Sequence, residues 1–569
     1  MSLAEARYLS PDEALALRLR EAVASEALGP AGPALNAALD ALVGGTFAEA
    51  EDQARAATAA DPRNVAAWRL LAMALEGQGE IAPALEAAQT AHALAPNSPD
   101  ALADLGRLAL GLGEPAAAVQ LLGQAWSMES GPLAGALAVL LAQALREGGD
   151  HDGAIEVLQT ALTGNDDNGA LWCELGAVKL HQGQIEAAYG LFDKAAQIAP
   201  GRLEPLYRRA CARLDLGDAA GAEADCVAAL ALARPEQAAA VRFTLAHARL
   251  SQGDLARGWA DYEARLDPDF PKAPVFDLSL PRWRPGEPLE GRRLLAVGEQ
   301  GLGDELMLAG LIPDLIADLG PRGALSLAVE PRLVSLFQRS FPQARVLAHA
   351  TGKAKGRTVR EVPNLAGADE LWTPFGALAQ SLRPDLESFR DKVAALRPDP
   401  QRLAAWRETL AALGDGPKVG VTWKSMNLAG ERAKQYAPFE AWRQVLAVPG
   451  VRFVNLQYGD SAAEVEQARA WGVELWTPPL DLTNDMEGLA ALTATLDMVL
   501  GVANATTNLA AACGAPVWLL ASPSAWPRLG VVGHYPWFAD ARVFAAARFG
   551  AWEAPATAMA EAMSARFGA

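Results

Sequence analysis

Short apolar runs alternate with stretches of helical spacing through the second half of the chain. Such runs predict buried strands, and their alternation with helices predicts parallel sheets. A helical stretch at 391–413 separates the fourth run from the fifth, which predicts two doubly wound lobes, 292–402 and 403–569. In such sheets ligands bind at the carboxyl ends of the strands, and hence in the cleft between the lobes. The predicted strands are 294–297, 324–329, 346–348, 370–372, 419–423, 451–457, 474–476, 498–502 and 517–520.

The first half of the chain instead repeats with a period of about 34 residues. Glycine recurs in steps of 34 or 36 residues, and alanine follows five residues after each of the first six glycines. This pattern resembles the tetratricopeptide repeat, a helix–turn–helix unit whose first helix here ends at the glycine. We count seven repeats over 33–266, after a helical extension at 1–32, and expect the array to bind a protein partner. The repeat glycines are Gly45, Gly79, Gly113, Gly149, Gly183, Gly217 and Gly253.

Composition limits the classes of partner and the compartment. Acidic residues number 68 against 49 basic ones, and the net charge of −19 disfavours nucleic acid and anionic membranes. The four cysteines lack C-x-x-C spacing, which is typical of small core residues in a reducing compartment. No segment has the pattern of a signal peptide or a membrane span. We therefore expect a cytoplasmic protein whose two halves are joined by a rigid, proline-rich connector at 267–291.

A glycine-rich loop, GEQGLGDE at 298–305, follows the first predicted strand and opens a helix. Glycine lets the backbone turn tightly and approach a ligand closely. Asp304 and Glu305 lie at the helix start, where the helix dipole favours negative charge. The glycine order is not that of a dinucleotide fingerprint, and no lysine follows as in a P-loop. A plain strand-to-helix turn explains the loop equally well.

Two further strand ends carry side chains suited to a nucleotide. The first, GVTWKS at 420–425, is followed by Lys434, and two lysines with a hydroxyl suit a phosphate group. The second, NLQYGD at 455–460, offers an amide and a ring to hold a nucleobase. Solvated loop charges and an ordinary glycine turn are the competing interpretations.

A third strand end, GVANATTN at 501–508, opens another helix. Asn504 is a natural N-cap, and the free N–H groups of this helix form a phosphate site together with Thr506 and Thr507. No Asp-x-Asp motif is present, which favours a metal-independent site.

The order of these motifs resembles the GT-B glycosyltransferases that follow tetratricopeptide repeats in bacteria. The resemblance spans the whole chain, and its nearest subgroup is the flagellin glycosyltransferases that attach pseudaminic or legionaminic acid, both nonulosonic acids. Heptosyltransferases and protein O-GlcNAc transferases are more distant. The motifs are EQGLGDE at 299–305, NLQYG at 455–459, DLTND at 481–485 and LAAACGAPVW at 509–518.

The resemblance implies roles for particular residues. Asp304 matches the general base of the heptosyltransferases, with Glu305 and Glu299 as further catalytic candidates, and Lys434 matches a phosphate-contacting lysine. Asn508 stands where the O-GlcNAc transferases usually have histidine, which argues against assuming UDP-GlcNAc as the donor. The resemblance to nonulosonic acid transferases favours a CMP-linked donor. The residues expected at the nucleotide-sugar are Gly301, Gly303, Trp423, Lys424, Ser425, Lys434, Gln457, Tyr458, Asp485, Asn504, Thr506, Thr507 and Asn508.

The sequence therefore predicts an α superhelix of tetratricopeptide repeats followed by an α/β GT-B fold of two doubly wound lobes. The expected activity is metal-independent, inverting transfer of a sugar from a nucleotide donor to Ser or Thr of a protein held by the repeats, with flagellin favoured and no cofactor. Two alternatives stay open: a non-catalytic adaptor with a decayed transferase fold, and a transferase that acts on a glycan or lipid.

Overall fold

The computed structural model describes residues 10–26, 29–130, 133–354, 356–363, 365, 367, 369–389, 394–426, 436–523 and 525–568. The chain forms two compact units, 1–209 and 210–569. The predicted end of the repeats at residue 266 and the predicted end of the connector at residue 291 stay predictions. No helix in the described part of the chain is long and apolar enough to cross a membrane.

Fifteen helices occupy the described residues before the connector. The first is preceded by a capping box in which Ser10 and Glu13 bond reciprocally, and it lies within the predicted helical extension. The other fourteen form seven hairpins. The helices are α1 Pro11–Ser25, α2 Gly32–Val43, α3 Phe47–Ala60, α4 Val65–Gly77, α5 Ile81–Leu94, α6 Pro99–Gly111, α7 Pro115–Met128, α8 Leu133–Glu147, α9 His151–Leu162, α10 Gly169–His181, α11 Ile185–Ile198, α12 Leu203–Asp215, α13 Ala219–Leu230, α14 Pro235–Ser251 and α15 Leu255–Tyr262.

The recurring glycine and alanine positions explain these hairpins. All seven repeat glycines are left-handed, with φ between 74° and 83°, so each ends the first helix of its hairpin as predicted. The alanines five residues later are buried where the two helices cross; Ala84, Ala118 and Ala154 expose 0% of their surface. The predicted tetratricopeptide repeats are thereby confirmed.

Thirteen strands form three sheets in the described part of 210–569. All nine predicted strands agree with the structure to within two residues at each end. The strands are β1 Val275–Asp277, β2 Arg293–Val297, β3 Ala324–Val329, β4 Arg345–Ala348, β5 Ala350–Ala354, β6 Arg357–Glu361, β7 Leu371–Pro374, β8 Lys418–Val421, β9 Arg452–Asn455, β10 Leu475–Trp476, β11 Met498–Gly501, β12 Val517–Ala521 and β13 Ala541–Ala545.

Two of the sheets are parallel throughout. The larger has the order β10-β9-β8-β11-β12-β13. The chain adds strands toward one edge up to β10 and then toward the other edge from β11, so the strand order reverses between β8 and β11. The smaller has the order β4-β3-β2-β7 and reverses between β2 and β7. We call these the C-terminal sheet and the N-terminal sheet. Such a reversal leaves a crevice at the carboxyl ends of the two adjoining strands.

Helices connect these strands and cover the sheets. The longer helices are α16 Leu302–Leu308, α17 Ile312–Leu319, α18 Val334–Ser340, α19 Leu378–Leu382, α20 Pro400–Ala411, α21 Arg443–Leu446, α22 Ala462–Ala470, α23 Met486–Thr493, α24 Ala505–Ala512 and α25 Glu553–Phe567. One continuous core contains residues of α15, of both parallel sheets and of the helices between them. Separate clusters cover the second face of the C-terminal sheet and of the N-terminal sheet. Burial on both faces explains the continuous apolar runs of these strands.

Three features differ from the prediction. The helix predicted over 391–413 begins only at Pro400, because the Asp399 carboxylate caps it by accepting from the Gln401 and Arg402 amides. Strand β13 was missed because the charged Arg542 interrupts its apolar pattern. The connector is not wholly irregular: β1 pairs with β6, which also pairs with β5, in a small third sheet.

Candidate functional site

Helices α16 and α24 pack against each other where the two crevices meet. The Asn508 side-chain amide donates to the Gly303 main-chain oxygen, with an Nδ2–O distance of 2.9 Å. A Cβ atom at Gly303 would lie 3.4 Å from the Ala505 nitrogen, in ordinary van der Waals contact. Gly303 therefore lies at the contact of the two helix starts but leaves room for a Cβ atom, and Gly301 is the N-cap residue of α16.

Asn504 organises the start of α24. Its Oδ1 atom accepts from the Thr507 amide at 3.0 Å, as the predicted N-cap requires. Its Nδ2 atom donates to the Thr422 hydroxyl at 3.1 Å, which ties α24 to the residue after β8. Thr506 and Thr507 are both buried. The first N–H groups of α24 have no intrahelical acceptor and lie where the C-terminal sheet reverses.

Gln457 holds the same loop from the other side. Its Oε1 atom accepts from the Trp423 and Lys424 amides, both at 2.9 Å. Its Nε2 atom donates to the main-chain oxygens of Lys424 and Tyr458. Both ends of this amide are therefore engaged within the protein, so Gln457 positions the loop after β8 instead of presenting its amide to a base.

The other predicted nucleotide-sugar residues fall into different surroundings. Lys424 is half-buried and forms an ion pair with Glu464. Trp423 is buried in the core and packs on Phe439, and the Tyr458 hydroxyl lies 3.5 Å from Ser425 Oγ.

Two more of these residues lie elsewhere. Asp485 caps α23 by accepting from the Gly488 amide at 2.8 Å and forms an ion pair with Arg402. It is therefore not drawn into the Asn504–Thr422–Gln457 network. Lys434 lies outside the described residues.

Glu299, one of the three predicted catalytic carboxylates, is buried and fully engaged. Arg265 donates to it through two nitrogens, at 2.9 and 3.0 Å, and the Gly376 amide donates at 2.6 Å. Burial opposes the charge on Arg265, but Glu299 outweighs it and raises the pKa of the guanidinium. This pair fixes the segment after the last repeat to the glycine loop.

Glu305 is also buried but has a titratable partner. Its carboxylate lies 2.9 Å from Nε2 of His349 and accepts from the Glu330 amide at 2.8 Å. His349 follows β4 and lines a cavity of about 520 Å³ at the carboxyl ends of β3 and β4. The cavity thus lies at the carboxyl edge of the N-terminal sheet.

Asp304 is half-buried and faces a different space. It lines a gap of about 10 Å³ with Trp259, Tyr262 and Trp526, among others. Burial raises the pKa of Tyr535, and the Asp304 carboxylate adds to the rise. Asp304 thus lies among aromatic side chains that include two from the last repeat.

No cluster of three or more potential metal ligands occurs among the described residues. None of the four cysteines, all of them described, forms a disulfide, and Cys173 and Cys226 are buried, in keeping with the predicted core positions. Burial raises the pKa of the Cys226 thiol.

Comparison with known proteins identifies the class first. Tetratricopeptide-repeat profiles match residues 35–99, 103–170 and 144–214. A tetratricopeptide repeat protein from Parabacteroides merdae ATCC 43184 is 17% identical, with a TM-score of 0.35 over 41% of this chain and 91% of that one. A thermophilic repeat protein of Thermus thermophilus is 22% identical, with a TM-score of 0.29 over 32% and 99%. The chain is a tetratricopeptide-repeat protein with a C-terminal α/β region.

A relative that matches most of the chain identifies the family within this class. Protein FlbA of Caulobacter vibrioides (strain ATCC 19089 / CIP 103742 / CB 15) is 42% identical over 512 residues, which cover 89% of this chain and 85% of the relative. An alignment of that length includes most of both the repeats and the α/β region. The chain belongs to the family of Protein FlbA.

Sequence reasoning did not single out Arg265, Glu464 or His349. His349 directly follows a predicted strand, so the strand-end rule was the one signal that could have found it. Arg265 and Glu464 act through partners 34 and 40 residues away, and no local pattern marks such pairs.

Proposed function

We propose that this protein is a cytoplasmic GT-B glycosyltransferase that moves a nonulosonic acid from a CMP donor to Ser or Thr of flagellin captured by its repeats. The observation that carries the proposal is the meeting of two strand-end sites. The start of α24, at the reversal of the C-terminal sheet, faces the acidic glycine loop at the reversal of the N-terminal sheet.

The start of α24 supplies what a leaving phosphate needs. Helix N-termini bind anions through free N–H groups and the helix dipole, and the Thr506 hydroxyl lies in the same turn. The Thr507 hydroxyl, also predicted at the phosphate, instead donates to the Val502 oxygen within the protein. Asn504 donates to the Lys424 oxygen and Gln457 accepts from the Lys424 amide, and these bonds hold the loop after β8 beside it. Preorganised donors of this kind stabilise developing charge without reorganisation.

The acceptor side must supply a base. Glu299 is neutralised by Arg265. The proton of the acceptor hydroxyl must therefore be taken by another carboxylate of the glycine loop or by a group that such a carboxylate activates. The repeats supply the acceptor by holding its protein near the cleft, which raises its effective concentration. The choice of CMP and flagellin follows from the family resemblance, and the asparagine at 508 argues only against UDP-GlcNAc.

One rival has a specific observation in its favour. Lys424 is paired with Glu464, and both ends of the Gln457 amide are engaged internally, as expected if the cleft no longer binds a nucleotide. That protein would be a repeat adaptor with an inactive α/β region. In the transferase proposal, phosphate instead draws Lys424 away from Glu464.

Titration calorimetry with CMP and with UDP separates the two. We expect CMP to bind more tightly than UDP, and purified flagellin incubated with enzyme and CMP-pseudaminic acid to gain the mass of one or more sugars. The matched variant is Asn504→Asp, which keeps the cap of α24 but places a negative charge where phosphate binds. Its melting temperature should fall, because the bond from Nδ2 to Thr422 is lost, and at a temperature where both proteins are folded it should bind CMP at least tenfold more weakly than the wild type. A wild-type chain that binds neither nucleotide supports the adaptor.

A further inference from the structure

The cavity beside β4 combines size with a buried, incompletely bonded histidine. Its volume is about 520 Å³, and its lining includes Glu330, Pro331, Leu347, His349 and Thr351. The His349 side chain exposes only 2% of its surface. Its Nδ1 atom has no hydrogen-bond partner among the described residues, which is unusual for a buried polar atom.

Glu305 fixes the tautomer of this histidine. An ionised carboxylate only accepts hydrogen bonds, so the 2.9 Å contact places the proton of a neutral ring on Nε2 and leaves the lone pair on Nδ1. The Glu330 amide holds the Glu305 carboxylate in place. A carboxylate bound to one ring nitrogen and a basic second nitrogen is the arrangement of a general base.

We propose that this cavity receives the Ser or Thr side chain of the acceptor and that Nδ1 of His349 takes the hydroxyl proton. The assignment rests on the proposed transferase function. The acceptor oxygen bonds to the anomeric carbon, the bond from that carbon to the phosphate oxygen breaks, and its electrons leave with CMP. The proton remains on His349, where Glu305 stabilises the imidazolium as a positioning residue.

Geometry favours His349 over Asp304 as the base. The gap beside Asp304 measures about 10 Å³ and is closed by Trp259, Tyr262 and Trp526. A water molecule alone needs roughly that volume, so no acceptor side chain fits there. The cavity beside His349 holds a side chain with part of its backbone.

The test compares His349→Gln with wild type in the full chain. A glutamine amide nitrogen can replace Nε2 as the donor to Glu305, but it has no basic nitrogen. We expect unchanged CMP affinity and melting temperature and a kcat for flagellin modification lower by roughly 10²–10⁴-fold. His534→Gln, at a histidine away from the cavity, is the control and should match the wild type.

The outcomes separate the two proposals. His349→Gln with wild-type turnover overturns the assignment and leaves the transferase standing, above all if Asp304→Asn loses activity. A wild-type chain that neither binds CMP nor modifies flagellin overturns the transferase proposal and this assignment with it. Nitrogen NMR of the wild-type histidines gives a reading that needs no variant: we expect a protonated Nε2 in His349, and a protonated Nδ1 with a bare Nε2 overturns the assignment.

Discussion

Arg265 and Glu299 form a buried, two-pronged ion pair between the segment after the last repeat and the glycine loop. Their side chains expose 4% and 2% of their surface. The guanidinium also lies over the Tyr262 ring, 4.3 Å from its centroid. The end of the repeat array is therefore part of the same rigid structure as the loop from which the proposed chemistry starts.

Removing one partner of this pair should be costly. We expect Arg265→Ala to lower the free energy of unfolding of the 210–569 unit by about 3–5 kcal/mol, because Glu299 is left buried without a counter-charge. Urea unfolding followed by tryptophan fluorescence measures this. The exposed pair Arg234–Glu236 is the control, and Arg234→Ala should cost at most about 1 kcal/mol. Equal costs at the two sites would show that Glu299 finds another partner.

Substitution by alanine should lower stability at one glycine of this loop and leave it almost unchanged at another. A Cβ atom at Gly298 would lie 2.2 Å from Oε1 of Glu305, which is held by His349 and Glu330 and cannot yield freely. We expect Gly298→Ala to cost about 1–3 kcal/mol and to displace Glu305 from His349. At Gly303 the added atom meets only ordinary contacts, so Gly303→Ala should change stability by less than about 0.5 kcal/mol. Thermal melting of both variants gives the comparison.

The ion pair of Lys424 predicts opposite effects on nucleotide affinity. We expect Lys424→Ala to weaken CMP binding by about 1.5–3 kcal/mol, because a charge-assisted bond to phosphate is lost. Glu464→Gln should tighten binding, because the lysine no longer has to leave a carboxylate. Calorimetry on both variants tests the pair, and a Glu464→Gln protein with weaker CMP binding would contradict it. Lys434→Ala is also expected to weaken binding, on the sequence pattern alone.

His247 should make the fold sensitive to acid. Burial lowers its pKa from the usual 6.5 to about 4, and its ring stacks on Trp526 at a centroid distance of 5.8 Å. Between these two pKa values His247 is protonated in the unfolded chain but neutral in the folded chain. The free energy of unfolding therefore falls as pH drops below 6.5, by about 3 kcal/mol once pH is below 4. His247→Phe should remove this share of the loss. Urea unfolding at pH 7 and pH 4.5, with the exposed His181→Phe as control, measures the difference.

The place where the chain is divided should decide which fragments work. We expect a cut in the turn between α11 and α12, near Gly201, to give two working fragments. The fragment 201–569 should keep CMP binding and stability, and the fragment 1–200 should bind flagellin. A fragment that starts at 267 should lose stability, because it separates Arg265 from Glu299 and Trp259 from its hydrogen bond to the Arg383 oxygen. Neither fragment should modify flagellin at cellular concentrations, since capture and transfer are no longer linked. Modification by the fragment from 201 at the full-length rate would give the repeats another role.

Local patterns were enough to predict most of the fold. The left-handed glycines and the buried runs of β2, β3, β11 and β12 each carry their own signal, since turn geometry and two-sided burial act residue by residue. The N-cap at Asn504 was predicted for the same reason. Charged or very short strands such as β13 and β1 carry no such signal.

Long-range partners were beyond reach of the sequence. The pairs Arg265–Glu299, Lys424–Glu464 and His349–Glu305 each join residues at least 34 positions apart. The motifs singled out loops at strand ends, but they could not say which carboxylate would be neutralised and which would hold a ring. For Gln457 the motif predicted a contact with a nucleobase, and the structure gives the amide an internal use.

The small third sheet also decides how the protein responds to tension. Strand β1 runs parallel to β6, and Arg357 at the start of β6 donates to the Ala273 oxygen at 3.0 Å, so the connector is fastened within a few residues of its proline-rich start. A partner pulled while still held by the repeats would load the packing of α15 against the core first and Arg265 next, and the β1–β6 bonds, stressed in shear, would resist after them. Strand β2, which leads into the glycine loop, would be pulled along the chain only after these contacts had given way.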